Sequence, residues 1–212
     1  MNITGNLNSV RERIASVGRN PDDITIVAVT KGFDAEVCRQ AVAAGLTTLG
    51  ENRVAEALSK MRVVEGATWH LIGHLQTNKV KISMGTFALI QTLDSVHLAE
   101  AIARQDPTQK VLVEINVARE PQRTGVAPEK AVELAAEAAG LLEVLGFMAM
   151  GPAQGDPAPA FEEVRRLRDE AQERLGKPLP ILSMGMSGDY EAAVRAGSTM
   201  LRLGTALFGP RP

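Results

Sequence analysis

Short apolar runs alternate with amphipathic stretches along most of the chain. The apolar runs predict eight β-strands, at residues 24–30, 47–50, 69–73, 89–93, 111–117, 143–148, 181–183 and 200–203. The amphipathic stretches predict helices at residues 34–44, 54–63, 95–104, 128–139, 158–175 and 189–196, preceded by an opening helix at residues 7–17. Strands that are apolar throughout are typical of parallel sheets whose two faces are both covered by helices.

This alternation predicts the α/β fold class and, more narrowly, a single (β/α)8 TIM barrel with an additional N-terminal helix. About eight strand–helix units within 212 residues fit the size of a compact barrel. An open, doubly wound sheet needs the same short parallel strands, so it remains the alternative. The loop at residues 151–157 is rich in Pro and Gly but lies between a strand and a helix. We therefore interpret it as a βα loop and expect one domain over residues 1–212.

Composition and charge argue against several classes of partner. The net charge of −2 leaves no basic face for nucleic acid or anionic lipid. No apolar stretch reaches the roughly 18 residues that suggest a membrane span, and residues 1–7 are too polar for a signal peptide, so we expect a cytoplasmic protein. The single cysteine, Cys38, lies in a predicted helix, and we interpret it as a small buried hydrophobe.

Familiar nucleotide-binding and hydrolase motifs do not occur in the sequence. There is no phosphate-binding loop of the Walker type, no Gly-x-Gly-x-x-Gly after the first strand and no Gly-x-Ser-x-Gly elbow. Nucleotide hydrolysis and dinucleotide redox chemistry therefore have no support from motifs.

Lys31 directly follows the first apolar run, where a charged group is expensive to bury. In barrels and open α/β sheets the carboxyl ends of the strands hold the active site. Desolvation there lowers the pKa of an amine, and a neutral amine attacks a carbonyl to form a Schiff base. The alternative is a lysine at the strand edge whose ammonium group extends to water, and position alone favours that alternative.

Two segments near the last strands have the composition of an anion site. Residues 183–189 are Ser-Met-Gly-Met-Ser-Gly-Asp, in which Ser187 either donates to phosphate or caps the next helix. Residues 202–205 are Arg-Leu-Gly-Thr, in which Gly204 is either a turn residue or, with Thr205, a source of N–H and hydroxyl donors. Loops after the last two strands of a barrel often bind phosphate, and two such segments together favour that role.

Arg202 interrupts the last apolar strand, so its charge needs a partner or a wet cavity. It is either a member of a structural ion pair or a group at the barrel mouth that hydrogen-bonds a ring nitrogen of a cofactor. Beside a Schiff-base lysine and a phosphate site, that ring would belong to pyridoxal 5'-phosphate (PLP). Lys31, Arg202 and the two glycine-containing segments then form one site.

Polar residues also follow the second and third predicted strands. Asn52 would reach the cofactor ring or its 3-hydroxyl, whereas Glu51 and Arg53 are interpreted as a helix-start carboxylate and a solvated base. His70 and His74 lie on a strand and its exit, so they do not share a helical face as a zinc pair does. We expect hydrogen bonding from these histidines rather than metal binding.

Five segments together resemble the pyridoxal phosphate homeostasis protein family, also described as the YggS/PROSC-like group. The segments are Val-Ala-Val-Thr-Lys at residues 27–31, Gly-Glu-Asn-Arg at 50–53, Trp-His-Leu-Ile-Gly-His-Leu-Gln-Thr-Asn-Lys at 69–79, Ser-Met-Gly-Met-Ser at 183–187 and Arg-Leu-Gly-Thr-Ala-Leu-Phe-Gly at 202–209. They occur in order along essentially the whole chain, and the third and fourth are specific to the family. The fold of this family is similar to the N-terminal domain of alanine racemase.

The resemblance implies a (β/α)8 barrel that binds PLP covalently. The implied cofactor-binding residues are Lys31, which carries the Schiff base, Asn52 at the ring face, Met186, Arg202 at the pyridine nitrogen, and Ser187, Gly204 and Thr205 at the phosphate. One departure is Arg123-Thr124-Gly125, where some relatives carry Lys-Ser-Gly. That departure removes the basis for a secondary cofactor contact through a lysine at this place.

The family is regarded as a carrier or regulator of free PLP that maintains vitamin B6 and amino-acid balance, without an established catalytic reaction. The resemblance therefore implies a carrier, with PLP-dependent apoenzymes as candidate partners. A PLP-dependent enzyme with weak amino-acid racemase activity is the alternative, and a protein-interaction barrel without cofactor is a third class. Alanine racemases take a catalytic tyrosine from a second, β-rich domain across a dimer. Because this chain ends at Pro212 and its only tyrosine, Tyr190, is expected on the helical shell, we expect a monomer without two-base racemisation.

Overall fold

Eight parallel strands close into a barrel in the computed structural model, which describes residues 1–210. The strands are β1 (Thr25–Val29), β2 (Thr48–Glu51), β3 (Thr68–Leu71), β4 (Leu89–Leu93), β5 (Lys110–Ile115), β6 (Glu143–Ala149), β7 (Ile181–Ser183) and β8 (Met200–Leu203). Each strand pairs with the next, and β8 pairs with β1. The predicted barrel is confirmed, and the alternative of an open sheet is wrong.

Helices follow the strands and cover the outside of the barrel. They are α1 (Ile3–Ser16), α2 (Ala35–Ala43), α3 (Val54–Met61), α4 (Val80–Ser83), α5 (Val96–Ala103), α6 (Pro128–Ala139), α7 (Ala158–Leu175), α8 (Tyr190–Arg195) and α9 (Thr205–Phe208). Short 3-10 turns occupy Pro21–Asp23 and Thr77–Lys79. The predicted N-terminal helix is confirmed, but it begins earlier than expected because the Asn2 side chain accepts a hydrogen bond from the backbone N–H of Gly5 and so caps the helix.

Apolar side chains form separate clusters inside and outside the barrel. The interior cluster consists of Val27, Leu89, Leu112, Met148 and Met200. A larger cluster fills the layer between the strands and the helices, and it includes Cys38, which is fully buried as expected. Four polar residues, His70, Gln91, Ser183 and Arg202, are buried as well and lie on strands β3, β4, β7 and β8.

The first and last parts of the described chain meet at the seam between β1 and β8. In this ladder Val27 lies opposite Arg202 and Ala28 opposite Leu203. On the outer surface the Asn6 side chain of α1 donates a hydrogen bond of 2.8 Å to the carbonyl of Leu207 in α9. The N-terminal helix therefore packs against α9, the segment that follows the last strand, and is hydrogen-bonded to it.

A helix that crosses a lipid bilayer must be both long and apolar. Within residues 1–210, no helix is both long enough and apolar enough to cross one.

Gly146 in β6 is a position where a side chain cannot be accommodated. Its φ is +150°, and an added Cβ would lie 1.8 Å from the carbonyl oxygen of Ile181 in the neighbouring strand. We expect Gly146→Ala to lower the free energy of unfolding by about 3 kcal/mol or more, because β6 and β7 must separate. Chemical denaturation measures this change.

Gly45→Ala is the matched control for that experiment. Gly45 also has a positive φ, of +89°, but an added Cβ meets nothing within 4 Å. Its substitution should cost only the backbone strain of about 1 kcal/mol. Equal losses in the two variants would contradict the close approach of β6 and β7.

Candidate functional site

A cavity of about 410 Å³ lies at the carboxyl ends of the strands. This volume falls in the range of about 300–1,000 Å³ that is usual for small-molecule sites, and its place is where barrel enzymes bind their ligands. All seven residues singled out from the sequence line it: Lys31, Asn52, Met186, Ser187, Arg202, Gly204 and Thr205. The structure thus brings the candidates together, while their roles toward a cofactor stay predictions.

Lys31 lies just beyond β1 in a segment that is held on both sides. The carbonyl of Thr30 accepts a hydrogen bond of 2.8 Å from Lys60 Nζ. The backbone N–H of Gly32 donates one of 2.7 Å to Glu56 Oε1. The main chain at Lys31 is therefore fixed from α3, and its half-buried side chain lines the cavity.

The group that fixes this segment is a buried ion pair between Lys60 and Glu51. Lys60 Nζ lies 2.6 Å from Glu51 Oε1, and the same oxygen accepts a hydrogen bond of 2.6 Å from the Thr30 hydroxyl. Burial by itself lowers the pKa of Lys60, but its hydrogen bonds to Glu51 and Glu56 outweigh burial and the pKa is raised. Lys60 is thus a charged member of a buried network.

This network corrects the interpretation of Glu51 as a helix-start carboxylate. Glu51 is the last residue of β2, is fully buried, and pairs with Lys60 rather than with a helix terminus. Arg53 is exposed, as its interpretation as a solvated base required. Lys60 itself was missed, although its spacing from Val54 and Ala57 places it on the buried face of α3 and so gave a usable signal.

Arg202 is 5% exposed and is held by main-chain oxygens. Its Nη1 donates to the carbonyl and the hydroxyl of Ser183, at 2.6 and 2.7 Å, and its Nη2 donates to the carbonyl of Ala149 at 2.9 Å. Burial lowers the pKa of the guanidinium to about 10, against the opposing effect of Glu114 and Asp189. Within residues 1–210 its hydrogen bonds go to no carboxylate, so the ion-pair alternative is wrong, and Arg202 lines the cavity.

The two candidate anion-binding segments meet at one wall of the cavity. The Ser187 hydroxyl accepts a hydrogen bond of 3.0 Å from the backbone N–H of Ala206, which ties the loop after β7 to α9. Ser187 therefore does not cap α8, which begins after Asp189. Gly204 and Thr205 complete this wall. Hydroxyls and backbone N–H groups are the donors that phosphate oxygens accept from.

Asn52 directly follows β2 and lies beside Gly73. Its Oδ1 is buried and has no hydrogen-bond partner in the described part of the chain. Gly73 permits this arrangement, because a Cβ there would lie 2.3 Å from the carbonyl oxygen of Asn52. A buried acceptor without a partner costs free energy, so a movement of the Asn52 side chain that gives Oδ1 a donor is favoured.

Glu114 and Thr124, which we did not single out from the sequence, also line the cavity. Glu114 is 2% exposed, and its Oε1 accepts a hydrogen bond of 2.7 Å from the Thr124 hydroxyl. Burial raises the pKa of Glu114. The signal for Glu114 was a carboxylate inside an apolar strand, which is the same kind of signal that identified Arg202.

The neighbouring Arg123 has a structural role in this loop. Its Nη1 donates a hydrogen bond of 2.6 Å to the carbonyl of Gly151, and its Nε lies 2.8 Å from Glu120 Oε2. These contacts join the loop after β5 to the loop after β6. Arg123 does not line the cavity, whereas Thr124 does.

The two histidines lie in different environments. His74 lines the cavity, with Nδ1 3.2 Å from Asp94 Oδ2. His70 is buried inside the barrel, with Nδ1 3.1 Å from Gln91 Nε2, and burial lowers its pKa to about 4. Over the residues that the structure describes, no group of three His, Cys, Asp or Glu side chains is arranged to hold a metal ion.

The chain matches the family model described as the N-terminal domain of alanine racemase over residues 2–212. A pyridoxal phosphate homeostasis protein of Aquifex aeolicus is 40% identical over 226 residues, which cover 100% of this chain and 99% of the relative. One of Escherichia coli K12 is 37% identical and is matched over 99% of this chain and 97% of the relative.

Solved structures give the same grouping. PipY of Synechococcus elongatus, solved with PLP bound, is 31% identical with a TM-score of 0.85, over 98% of this chain and 100% of PipY. Alanine racemase of Corynebacterium glutamicum is 18% identical with a TM-score of 0.78, over 99% of this chain and 61% of the racemase. At that identity the racemase shows a shared fold and no more.

The buried pair of Lys60 and Glu51 leads to a stability prediction. Lys60→Met leaves the Glu51 carboxylate buried without its cation, so we expect the free energy of unfolding to fall by about 3 kcal/mol. Adding Glu51→Gln removes the uncompensated charge and should restore part of that loss. Urea denaturation of both variants measures the coupling. A loss below about 1 kcal/mol, or a double variant no more stable than Lys60→Met, would show that the pair does not hold this segment.

Proposed function

The chain belongs to the pyridoxal phosphate homeostasis protein family, and from that premise we propose that it binds PLP in the cavity at the strand ends and carries or buffers the cofactor. The observation that carries the proposal is the meeting of Lys31, Arg202 and Ser187 in one cavity. Each of these side chains complements a different group of PLP. PipY, 31% identical, has been solved with PLP bound, which supports the same cofactor here.

The donors and acceptors of the cavity match PLP group by group. When bound, PLP supplies an aldehyde that forms a reversible Schiff base with a primary amine, and Lys31 is the lysine in the cavity wall. The hydroxyl of Ser187, the N–H of Gly204 and the hydroxyl of Thr205 would hold the phosphate. Met186 would border the entrance, since it is 37% exposed and lines the cavity.

Asn52 and Arg202 would orient the ring. The Oδ1 of Asn52 is buried and unpaired, so a side-chain rotation toward the cavity would let it accept a hydrogen bond from the ring hydroxyl and would remove a penalty of about 1–3 kcal/mol. The guanidinium of Arg202 would donate to the pyridine nitrogen. A cavity with an amine, phosphate donors, a ring-nitrogen donor and an unpaired acceptor therefore fits PLP.

The identity of the ring-nitrogen partner favours carriage over catalysis. A guanidinium beside the pyridine nitrogen disfavours protonation of that nitrogen, which makes PLP a poorer electron sink than it is beside a carboxylate. Tyr190 is 5% exposed in α8, near Arg13 of α1, and does not line the cavity. Its phenol is therefore not placed to act as the second base of a racemase.

The recipients of the cofactor belong to the same proposal. We propose that the protein acts in the cytoplasm as a monomer and passes PLP to PLP-dependent apoenzymes, since an incoming amine would compete with Lys31 for the aldehyde of the cofactor. Large apolar side chains exposed within residues 1–210 are Met1, Val63, Ile82, Leu141 and Met186. They lie on separate segments of the chain, and scattered apolar residues of this kind are normal on a monomer. Analytical ultracentrifugation should therefore give the mass of a monomer.

Covalent attachment tests the proposed role of Lys31. Borohydride reduction after addition of PLP should fix the cofactor to Lys31, and Lys31→Ala should abolish this labelling because the other described residues that line the cavity include no lysine. Peptide mapping by mass spectrometry locates the label. Lys79→Ala is the control, since Lys79 follows β3 on the same side of the barrel and should not affect labelling. A label on another lysine would contradict the proposal. Wild-type protein that is colourless after incubation with excess PLP and removal of the free cofactor would contradict it as well.

A transfer assay separates carriage from catalysis. PLP-loaded protein should restore the activity of a PLP-dependent apoenzyme in the presence of a scavenger that removes free aldehyde. The loaded protein incubated with a panel of amino acids should change neither their stereochemistry nor their oxidation state at a meaningful rate. Turnover on the order of 1–10³ per second would instead identify an enzyme. Transfer that the scavenger abolishes would show that the protein only buffers the free cofactor.

A further inference from the structure

A continuous row of hydrogen bonds crosses the inside of the barrel and ends at Arg202. Arg202 Nη1 donates to the Ser183 hydroxyl at 2.7 Å, and that hydroxyl donates to Gln91 Oε1 at 2.6 Å. Gln91 Nε2 lies 3.1 Å from His70 Nδ1 and 3.3 Å from the Met200 sulfur. The row joins β8, β7, β4 and β3, and Gln91 and Ser183 are fully buried.

At each hydrogen bond in this row, the neighbouring groups determine which atom donates and which accepts. Arg202 can only donate, so the Ser183 oxygen must accept from it and direct its own hydrogen to Gln91 Oε1. Gln91 Nε2 can only donate, so His70 Nδ1 must be unprotonated. The lowered pKa of His70 keeps the imidazole neutral near pH 7, which preserves it as an acceptor. The row therefore has one hydrogen-bond arrangement rather than several.

We infer that Ser183 and Gln91 are positioning residues that orient the Arg202 guanidinium toward the ring nitrogen of PLP, an inference that rests on the proposed function. A lone arginine side chain is flexible, and the carboxylates of Glu114 and Asp189 both attract it electrostatically. Donation to Ser183 and to the main chain holds Nη1 and Nη2 in place. Because Arg202 lines the cavity, these hydrogen bonds fix the guanidinium in the cavity wall.

A test of this inference must separate orientation of Arg202 from general stability of the barrel. Pyridoxine 5'-phosphate is a suitable probe because it has no aldehyde and so reports non-covalent contacts only. Its analogue with carbon in place of the ring nitrogen lacks the acceptor for Arg202. The ratio of the two dissociation constants, measured by calorimetry at a pH where the free ring nitrogen is unprotonated, isolates the contact between Arg202 and the ring.

We expect wild-type protein to bind pyridoxine 5'-phosphate more tightly than the carbon analogue. Ser183→Ala should reduce the ratio of the two dissociation constants about tenfold, which is the effect on affinity of losing a hydrogen bond to a charged group. Affinity for the carbon analogue should change less than about twofold. Gln91→Met should reduce the preference by a smaller factor, because the Ser183 hydroxyl remains but loses its acceptor. Circular dichroism verifies that both variants fold.

Ser198→Ala is the matched control. Ser198 is also fully buried, and its hydroxyl lies 2.8 Å from the carbonyl of Met184 and 3.0 Å from that of Met200, but it does not contact Arg202. This variant should lose stability and keep the wild-type preference for the nitrogen ring. If Ser183→Ala keeps that preference, or weakens both probes equally, the positioning role is wrong. Wild-type protein that binds neither pyridoxine 5'-phosphate nor PLP would instead overturn the proposed function itself.

Discussion

The ladder between β1 and β8 is the constraint on which the site depends. It places Val27 opposite Arg202, so the first and last strands of the barrel end side by side. Lys31 follows β1 and Gly204 follows β8, and closure therefore brings an amine, a guanidinium and hydroxyl groups to one cavity. In an open sheet the first and last strands need not be neighbours, and these groups would be separated. Barrel closure and assembly of the site are consequently the same structural event.

The two buried cations of residues 1–210, Lys60 and Arg202, are held by different kinds of group. Lys60 forms ion pairs with the carboxylates of Glu51 and Glu56, which compensate its charge. These contacts hold the segment on both sides of Lys31. Arg202 is held by carbonyl oxygens and the Ser183 hydroxyl, which fix its position without cancelling its charge. A cation held by dipoles alone remains able to bind a ligand. A cation paired with two carboxylates serves the fold.

The sequence predicted the architecture and the position of the site better than it predicted the buried polar contacts. Runs of continuous apolar residues predict buried strands. A charged residue at or near the end of such a run, as at Lys31 and Arg202, indicates where the strand reaches the cavity. The helices α4 and α9 were not predicted because one turn is too short to show a helical period. Pairings such as Lys60 with Glu51 join different elements, and a residue pattern along one element cannot reveal its partner on another.

The most direct measurement of the central claim is a crystal structure of the protein loaded with PLP. We expect continuous electron density from Lys31 Nζ to the cofactor. The pyridine nitrogen should lie against Arg202, and the phosphate should lie beside Ser187, Gly204 and Thr205. The hydrogen bonds from Arg202 to Ser183 and Ala149 should be unchanged. A cofactor bound elsewhere, or a ring whose nitrogen faces away from Arg202, would contradict the claim that closure of β1 on β8 builds a PLP site.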